Sequence, residues 1–171
     1  MYYWISIGSN IDPVNSIGRT LEEIGEVTPV LWLYPPLYTE PVGIATNARF
    51  INGVLTLYSS LELPGLKQRF ETIEVRLGRD RADPDSSRKD RICDIDILSS
   101  APSFDPGMAS RITEPYLRPV IEGRGQVAPI VAYESPLPDR PATIYLDRAA
   151  REIRILDDEP QALIDWVEAT F

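Results

Sequence analysis

Along the first hundred residues the spacing of hydrophobic and polar positions changes period several times, and each change marks an element. Tyr3, Ile5 and Ile7 alternate with Tyr2, Trp4 and Ser6, a period-two strand closed by Gly8-Ser9-Asn10. Ile17, Leu21 and Ile24 then recur at helical spacing up to Gly25, with Asp12 as the N-cap and Pro13 in the first turn. Val30 to Leu33 predicts a second strand. The segment from Leu37 to Gly43, after Pro35-Pro36, is too proline-rich for a central strand and reads as an edge with a loop. Phe50 to Tyr58 reads as a third strand. Pro64 opens a second helix in which Leu66, Phe70, Ile73 and Leu77 form one apolar stripe ending at Gly78, and these four are expected in the core. Arg79 to Asp90 shows no periodicity and reads as a long loop, followed by a fourth strand from Ile92 to Leu98.

The order strand, helix, strand, strand, helix, strand is the split βαβ arrangement of an α+β sandwich, with two helices on one face of a mainly antiparallel sheet. Past Ser99 prolines interrupt most windows, so short strands and loops are expected there. Thr143 to Leu146 and Ile153 to Leu156 suit a hairpin-like pair. Pro160 to Phe171 suits a C-terminal helix with Leu163, Ile164 and Val167 inward. With no internal repeat and no low-complexity linker, residues 1–171 are expected to form one domain with a loop-rich C-terminal extension.

Composition narrows the chemistry. Against 17 Lys and Arg stand 26 Asp and Glu, a net charge of −9, and there is no histidine. A Ser-His-Asp triad, a His-ligated zinc and a histidine general base are therefore excluded, leaving carboxylates, arginines, hydroxyls or a borrowed metal ion. One cysteine, Cys93, cannot form an internal disulfide, which fits a reducing cytoplasm. The N-terminus Met1-Tyr2-Tyr3-Trp4-Ile5 has no signal-peptide character, and no apolar run approaches the ~20 residues a membrane span needs. A soluble protein is expected, and the acidic balance argues against nucleic acid as a partner.

The charge is unevenly placed. Arg76, Arg79, Arg81, Arg88, Lys89 and Arg91 against Asp80, Asp83, Asp85 and Asp90 make residues 76–91 net +2, so the remainder is −11. Either this is a solvated loop laced with ion pairs, or its arginine forks grip phosphate. Directly after it comes Asp94-Ile95-Asp96. On a strand, residues i and i+2 share a face, so the two carboxylates project together while Cys93, Ile95 and Ile97 project the other way. Two such anions repel unless a cation joins them. Hard oxygen ligands suit Mg²⁺ shared with substrate phosphates; the plain alternative is an Asp94 paired with Arg91 or another arginine. Phosphoryl-type transfer needs positioning and charge neutralisation, which arginines and Mg²⁺ supply without histidine.

Gly8-Ser9-Asn10, Tyr38-Thr39-Glu40-Pro41-Val42-Gly43, Phe50-Ile51-Asn52-Gly53, Ile73-Glu74 with Leu77-Gly78-Arg79, and Arg91-Ile92-Cys93-Asp94-Ile95-Asp96-Ile97-Leu98 resemble, in order and spacing, the 6-hydroxymethyl-7,8-dihydropterin pyrophosphokinases of folate synthesis. The resemblance is clear over about the first hundred residues and fainter through Arg111-Ile112-Thr113-Glu114-Pro115, Arg124-Gly125 and Ala128-Pro129-Ile130. It implies a ferredoxin-like βαββαβ fold and transfer of the terminal diphosphate of ATP to the pterin hydroxymethyl group, giving AMP. Asp94 and Asp96 would hold two Mg²⁺ ions, with Arg79 and Arg91 completing the catalytic set. Arg81, Arg88, Arg111, Ile112, Thr113, Tyr116 and Arg124 would lie beside ATP, with Glu71 and Glu74 of the second helix. Thr39, Pro41, Val42 and Asn52 would form the pterin pocket, Phe50 would stack on the ring, and Gln126 would face it. The 79–90 loop would act as a lid, and the protein is expected to be a monomer.

The sequence departs from that family pattern at four places. Arg88-Lys89-Asp90-Arg91 replaces the usual Trp-Gly-Pro-Arg, and Pro115-Tyr116 replaces Pro-His. Gln126 replaces a stacking aromatic, and Glu71 stands at a glutamine position. These losses leave two other readings open: a diverged, non-catalytic pterin- or nucleotide-binding protein, and a pyrophosphokinase with a different acceptor. Phe50 as core and Asn52 as a strand-end cap are the corresponding structural roles.

Overall fold

In the computed structural model the described residues are 1–43, 46–85 and 90–171. The N-terminal alternation becomes β1 (Tyr2–Ser9), a strand buried along its whole length. Both sets of alternating side chains are large and apolar, so β1 feeds two cores at once. Tyr3, Ile5 and Ile7 pack on one face with Ile17 and Leu21 of α1 (Pro13–Ile24) and with Leu66 and Phe70 of α2 (Leu63–Arg76). Tyr2 and Trp4 pack on the opposite face with Trp32, Val120, Leu163 and Val167.

β1 lies between β3 (Phe50–Tyr58) and β4 (Asp94–Ala101), antiparallel to both, and β2 (Val30–Thr39) pairs antiparallel with β3. The predicted βαββαβ unit is thus present, with strand order β4-β1-β3-β2. The α2 stripe Leu66, Phe70, Ile73 and Leu77 is buried as expected. Removing one such side chain, as in Leu66→Ala, costs about 2–5 kcal/mol.

Two expectations are corrected. β2 does not stop at Leu33: it runs through Pro35-Pro36 to Thr39, and its last part pairs with β3 on one side and makes an isolated bridge from Leu37 to Val127 on the other. The prolines are tolerated because the partner β7 (Ala142–Asp147) pairs only with Val30–Leu33, and the register with β3 shifts between Tyr34 and Leu37. Asp12 does not cap α1 with its side chain. Its backbone is left-handed at φ 44°, and its carboxylate accepts from Asn15 instead.

The C-terminal third adds to the main sheet. β7 and β8 (Glu152–Asp157) form the predicted hairpin-like pair, and β7 joins β2, extending the main sheet to six strands. The short helices α3 (Met108–Arg111) and α4 (Arg118–Glu122) precede a small β5 (Val131–Ala132) and β6 (Ser135–Pro136) hairpin. The C-terminal helix is α5 (Gln161–Thr170), which buries Leu163 and Val167, with Ile164 half-buried. Among the described residues no helix is long and apolar enough to cross a membrane.

Candidate functional site

The C-terminal end of β1 meets the starts of β3 and β4, and the pairing puts Asp94, Gly8 and Asn52 in one row across three strands. Asp96, Ser6 and Val54 form the next row on the same face. Gly8 leaves the room this row needs, since a Cβ there would lie 2.6 Å from Asn52 Oδ1. Asn52 is buried and its Nδ2 donates to Thr39 Oγ1 at 2.7 Å, tying β3 to the end of β2.

Two clefts open on this row. The first is lined by Val42, Phe50, Asn52, Arg91, Asp94 and Tyr116. The second is lined by Lys67, Glu71, Arg79, Arg81, Asp94 and Asp96. Asp94 lines both. Phe50 is at once buried and part of the first wall, so a core position does not keep it from bordering the cleft.

The arginines converge on carboxylates. Asp94 Oδ1 accepts from Arg79 Nη1 at 2.7 Å and Asp94 Oδ2 from Arg91 Nη1 at 2.6 Å. Arg79 also reaches Glu74 Oε2 at 3.1 Å, where Arg81 joins it, while Glu74 Oε1 accepts the Ile95 N–H at 2.9 Å. Burial pushes the Glu74 carboxyl up from its usual range, against the pull of the Ile95 N–H and the two guanidinium groups. Burial works the opposite way on Arg79, but Asp94 and Glu74 hold its pKa above the ordinary arginine value. Cys93, wholly buried beside Thr20, has its thiol pushed up to about 12 and is not a nucleophile.

Asp96 stands apart from this network. Among the described residues no hydrogen bond or ion pair engages it, and partial withdrawal from water together with the Asp94 charge raises its pKa. A solvent-facing carboxylate destabilised by its neighbour fits a hard divalent cation, and oxygen donors on one strand face are the correct chemistry for Mg²⁺. Among the described residues no group of three or more His, Cys, Asp or Glu converges on one point. A cation held by Asp94 and Asp96 would therefore draw its remaining ligands from substrate and water.

Other expected site residues lie elsewhere. Glu74 is inside the protein, its side chain 1% exposed, and it binds arginines and the Ile95 amide in place of a ligand. Gln126 does not line the first cleft. Its backbone C=O accepts from Tyr38 N–H, and its Oε1 accepts from Arg49, whose guanidinium lies 4.5 Å from the Tyr38 ring centre. Arg111 pairs with Asp105 and Arg124 with Glu122, Ile112 is buried in the second core, and Thr113 and Pro41 line neither cleft. Tyr116 does reach the first cleft, where burial and the Asp96 charge raise its phenol pKa. Arg88 and residues 86–89 of the 79–90 loop lie outside the described residues. Arg49 and Glu40 were not anticipated; only their proximity in space to Tyr38 and the first cleft identifies them.

The family model described as 7,8-dihydro-6-hydroxymethylpterin-pyrophosphokinase matches residues 4–121, which include both clefts' carboxylates and arginines. No curated protein matches the chain.

Proposed function

The chain belongs to the 7,8-dihydro-6-hydroxymethylpterin-pyrophosphokinase family, and on that basis we propose that it transfers pyrophosphate from ATP to 6-hydroxymethyl-7,8-dihydropterin in folate biosynthesis. The hydroxymethyl oxygen forms a bond to the β-phosphorus, the bond from that phosphorus to the oxygen bridging to the α-phosphorus breaks, and AMP leaves with that oxygen. The hydroxyl proton is released to solvent.

The observation that carries this reading is the sharing of Asp94 between the two clefts. A ring in the first cleft and a triphosphate in the second meet at one carboxylate, which is the positioning such a transfer needs. Asp94 and Asp96 are the residues that would hold Mg²⁺, which when bound neutralises charge developing on the phosphate oxygens. Arg79, Arg81 and Arg91, held on Glu74 and Asp94 in the free protein, supply forks that can exchange a carboxylate for phosphate. Phe50 offers a ring face for stacking, worth about 0.5–1.5 kcal/mol beyond burial, and Asn52 a polar group for the heterocycle edge. Glu71 and Lys67 border the second cleft, where the nucleoside would lie.

The test is an AMP-release assay with ATP, Mg²⁺ and 6-hydroxymethyl-7,8-dihydropterin. AMP formed in proportion to pterin is expected, and no AMP above the pterin-free rate would overturn the reading. Because Gln126 is turned to Arg49 and does not close the first cleft, calorimetry with a non-hydrolysable ATP analogue is informative beside it. Analogue binding without pterin binding would point to a different acceptor.

A further inference from the structure

Asn10 closes the turn after β1 and is only 7% exposed. Its side chain and backbone bind two residues from the far end of the Arg-rich loop. Nδ2 donates to Asp90 Oδ1 at 2.8 Å, Oδ1 accepts the Arg91 N–H at 2.6 Å, and the Asn10 N–H donates to the Arg91 C=O at 2.9 Å. The orientation of the carboxamide admits one assignment, because a backbone N–H can only donate and an ionised carboxylate can only accept.

The last regular pair between β1 and β4 is Gly8 with Asp94. The bonds from Asn10 extend that pairing past the end of the sheet to Arg91, whose side chain reaches Asp94 Oδ2 and lines the first cleft. Asp90 itself is exposed and stands where the family pattern usually has proline. A proline would restrict the backbone covalently; here a hydrogen bond from a buried amide restrains it. A buried carboxamide with both ends engaged is expensive to disturb, because each lost partner leaves a desolvated polar group.

We propose that Asn10 is a positioning residue that acts through Arg91: with Asp90 it forms a clamp that anchors the end of the Arg-rich loop and aims the Arg91 guanidinium at Asp94. The kinetic consequence rests on the pyrophosphokinase reading; the clamp itself does not.

Three variants test it: Asn10→Asp, which sets two carboxylates against each other, Asp90→Ala, and the exchange Asn10→Asp with Asp90→Asn, which restores a carboxamide–carboxylate pair in reverse. The readouts are amide hydrogen exchange at Arg91, affinity for a Mg²⁺-loaded non-hydrolysable ATP analogue, and kcat and KM of AMP release. Asn10→Asp is expected to accelerate Arg91 exchange and to lower kcat, each by about tenfold or more, and Asp90→Ala to move both in the same direction by less. The exchange variant is expected to return both to within about threefold of the original protein. Unchanged exchange in Asn10→Asp, faster exchange with unchanged analogue affinity and kcat, or an exchange variant as impaired as Asn10→Asp would each overturn the proposal. If the unaltered protein releases no AMP, the exchange and affinity readouts still decide the clamp, while the pyrophosphokinase reading alone fails.

Discussion

Arg79 and Asp94 are joined at 2.7 Å across the boundary between two clefts, and the other oxygen of the same carboxylate is held by Arg91 at 2.6 Å. In the free protein the acidic residue that borders both clefts is thus neutralised by the two arginines that phosphate would draw away. Loss of Asp94 therefore removes a shared ligand and leaves Arg79, a side chain 11% exposed, without one of its two carboxylates.

Asp94→Ala is expected to lower AMP formation at least about 10³-fold and to destabilise the protein by about 3 kcal/mol. Single-turnover AMP release and urea denaturation measure the two effects. Retained activity in a folded variant would remove Asp94 from the mechanism.

Asp96 makes the opposite stability prediction. Its carboxyl is more easily protonated in the folded protein than in the unfolded chain, so the folded state binds more protons there, and its contribution to stability declines as pH rises from the ordinary aspartate range through the raised value. Asp96→Asn should therefore raise Tm at neutral pH, by about 1–3 °C, with the gain shrinking as pH falls through the raised value and gone below the ordinary aspartate range. AMP release should be abolished in the same variant. A thermal scan at pH 7 showing Asp96→Asn less stable than the original would contradict this electrostatic account.

Glu74 holds the arginine network from inside the protein. Glu74→Ala takes one of its two carboxylates from Arg79 and strands the Ile95 N–H in a buried setting, and should cost about 3–5 kcal/mol by chemical denaturation. Glu74→Gln keeps an acceptor for the Ile95 amide and should cost less than Glu74→Ala. Equal effects would show that the Ile95 bond contributes nothing separable.

Gly8→Ala places a methyl group 2.6 Å from Asn52 Oδ1, forcing Asn52 off its bond to Thr39. Pterin affinity should fall by about tenfold or more while ATP-analogue affinity stays unchanged. Calorimetry with each ligand separates the two, and parallel losses would show that Gly8 supports the whole sheet end instead of the first cleft.

Much of the frame was readable from local pattern. The alternation Tyr3, Ile5, Ile7 and the stripe Leu66, Phe70, Ile73, Leu77 each report a periodicity that one strand or helix imposes on its own side chains, so the βαββαβ order needs no knowledge of neighbours. Pro35-Pro36 misled because a proline's cost depends on whether a partner strand needs its missing N–H, and β7 ends before reaching them. The shared face of Asp94 and Asp96 was likewise local, being a property of strand geometry alone.

What each of those carboxylates touches was not local. Asp94 and Arg79 are fifteen residues apart and Asn10 and Arg91 eighty-one, and only the antiparallel pairing of β1 with β4 brings the second pair within reach. The sequence by itself determined the elements, the acid pair, the arginine-rich loop and the absence of any histidine chemistry. The tertiary structure decided that Glu74 faces inward, that Gln126 is turned to Arg49, and that Asp94 serves two clefts. Periodicity records how a chain is buried against itself one element at a time, whereas ion-pair partners and cleft walls are set by which elements the sheet places side by side.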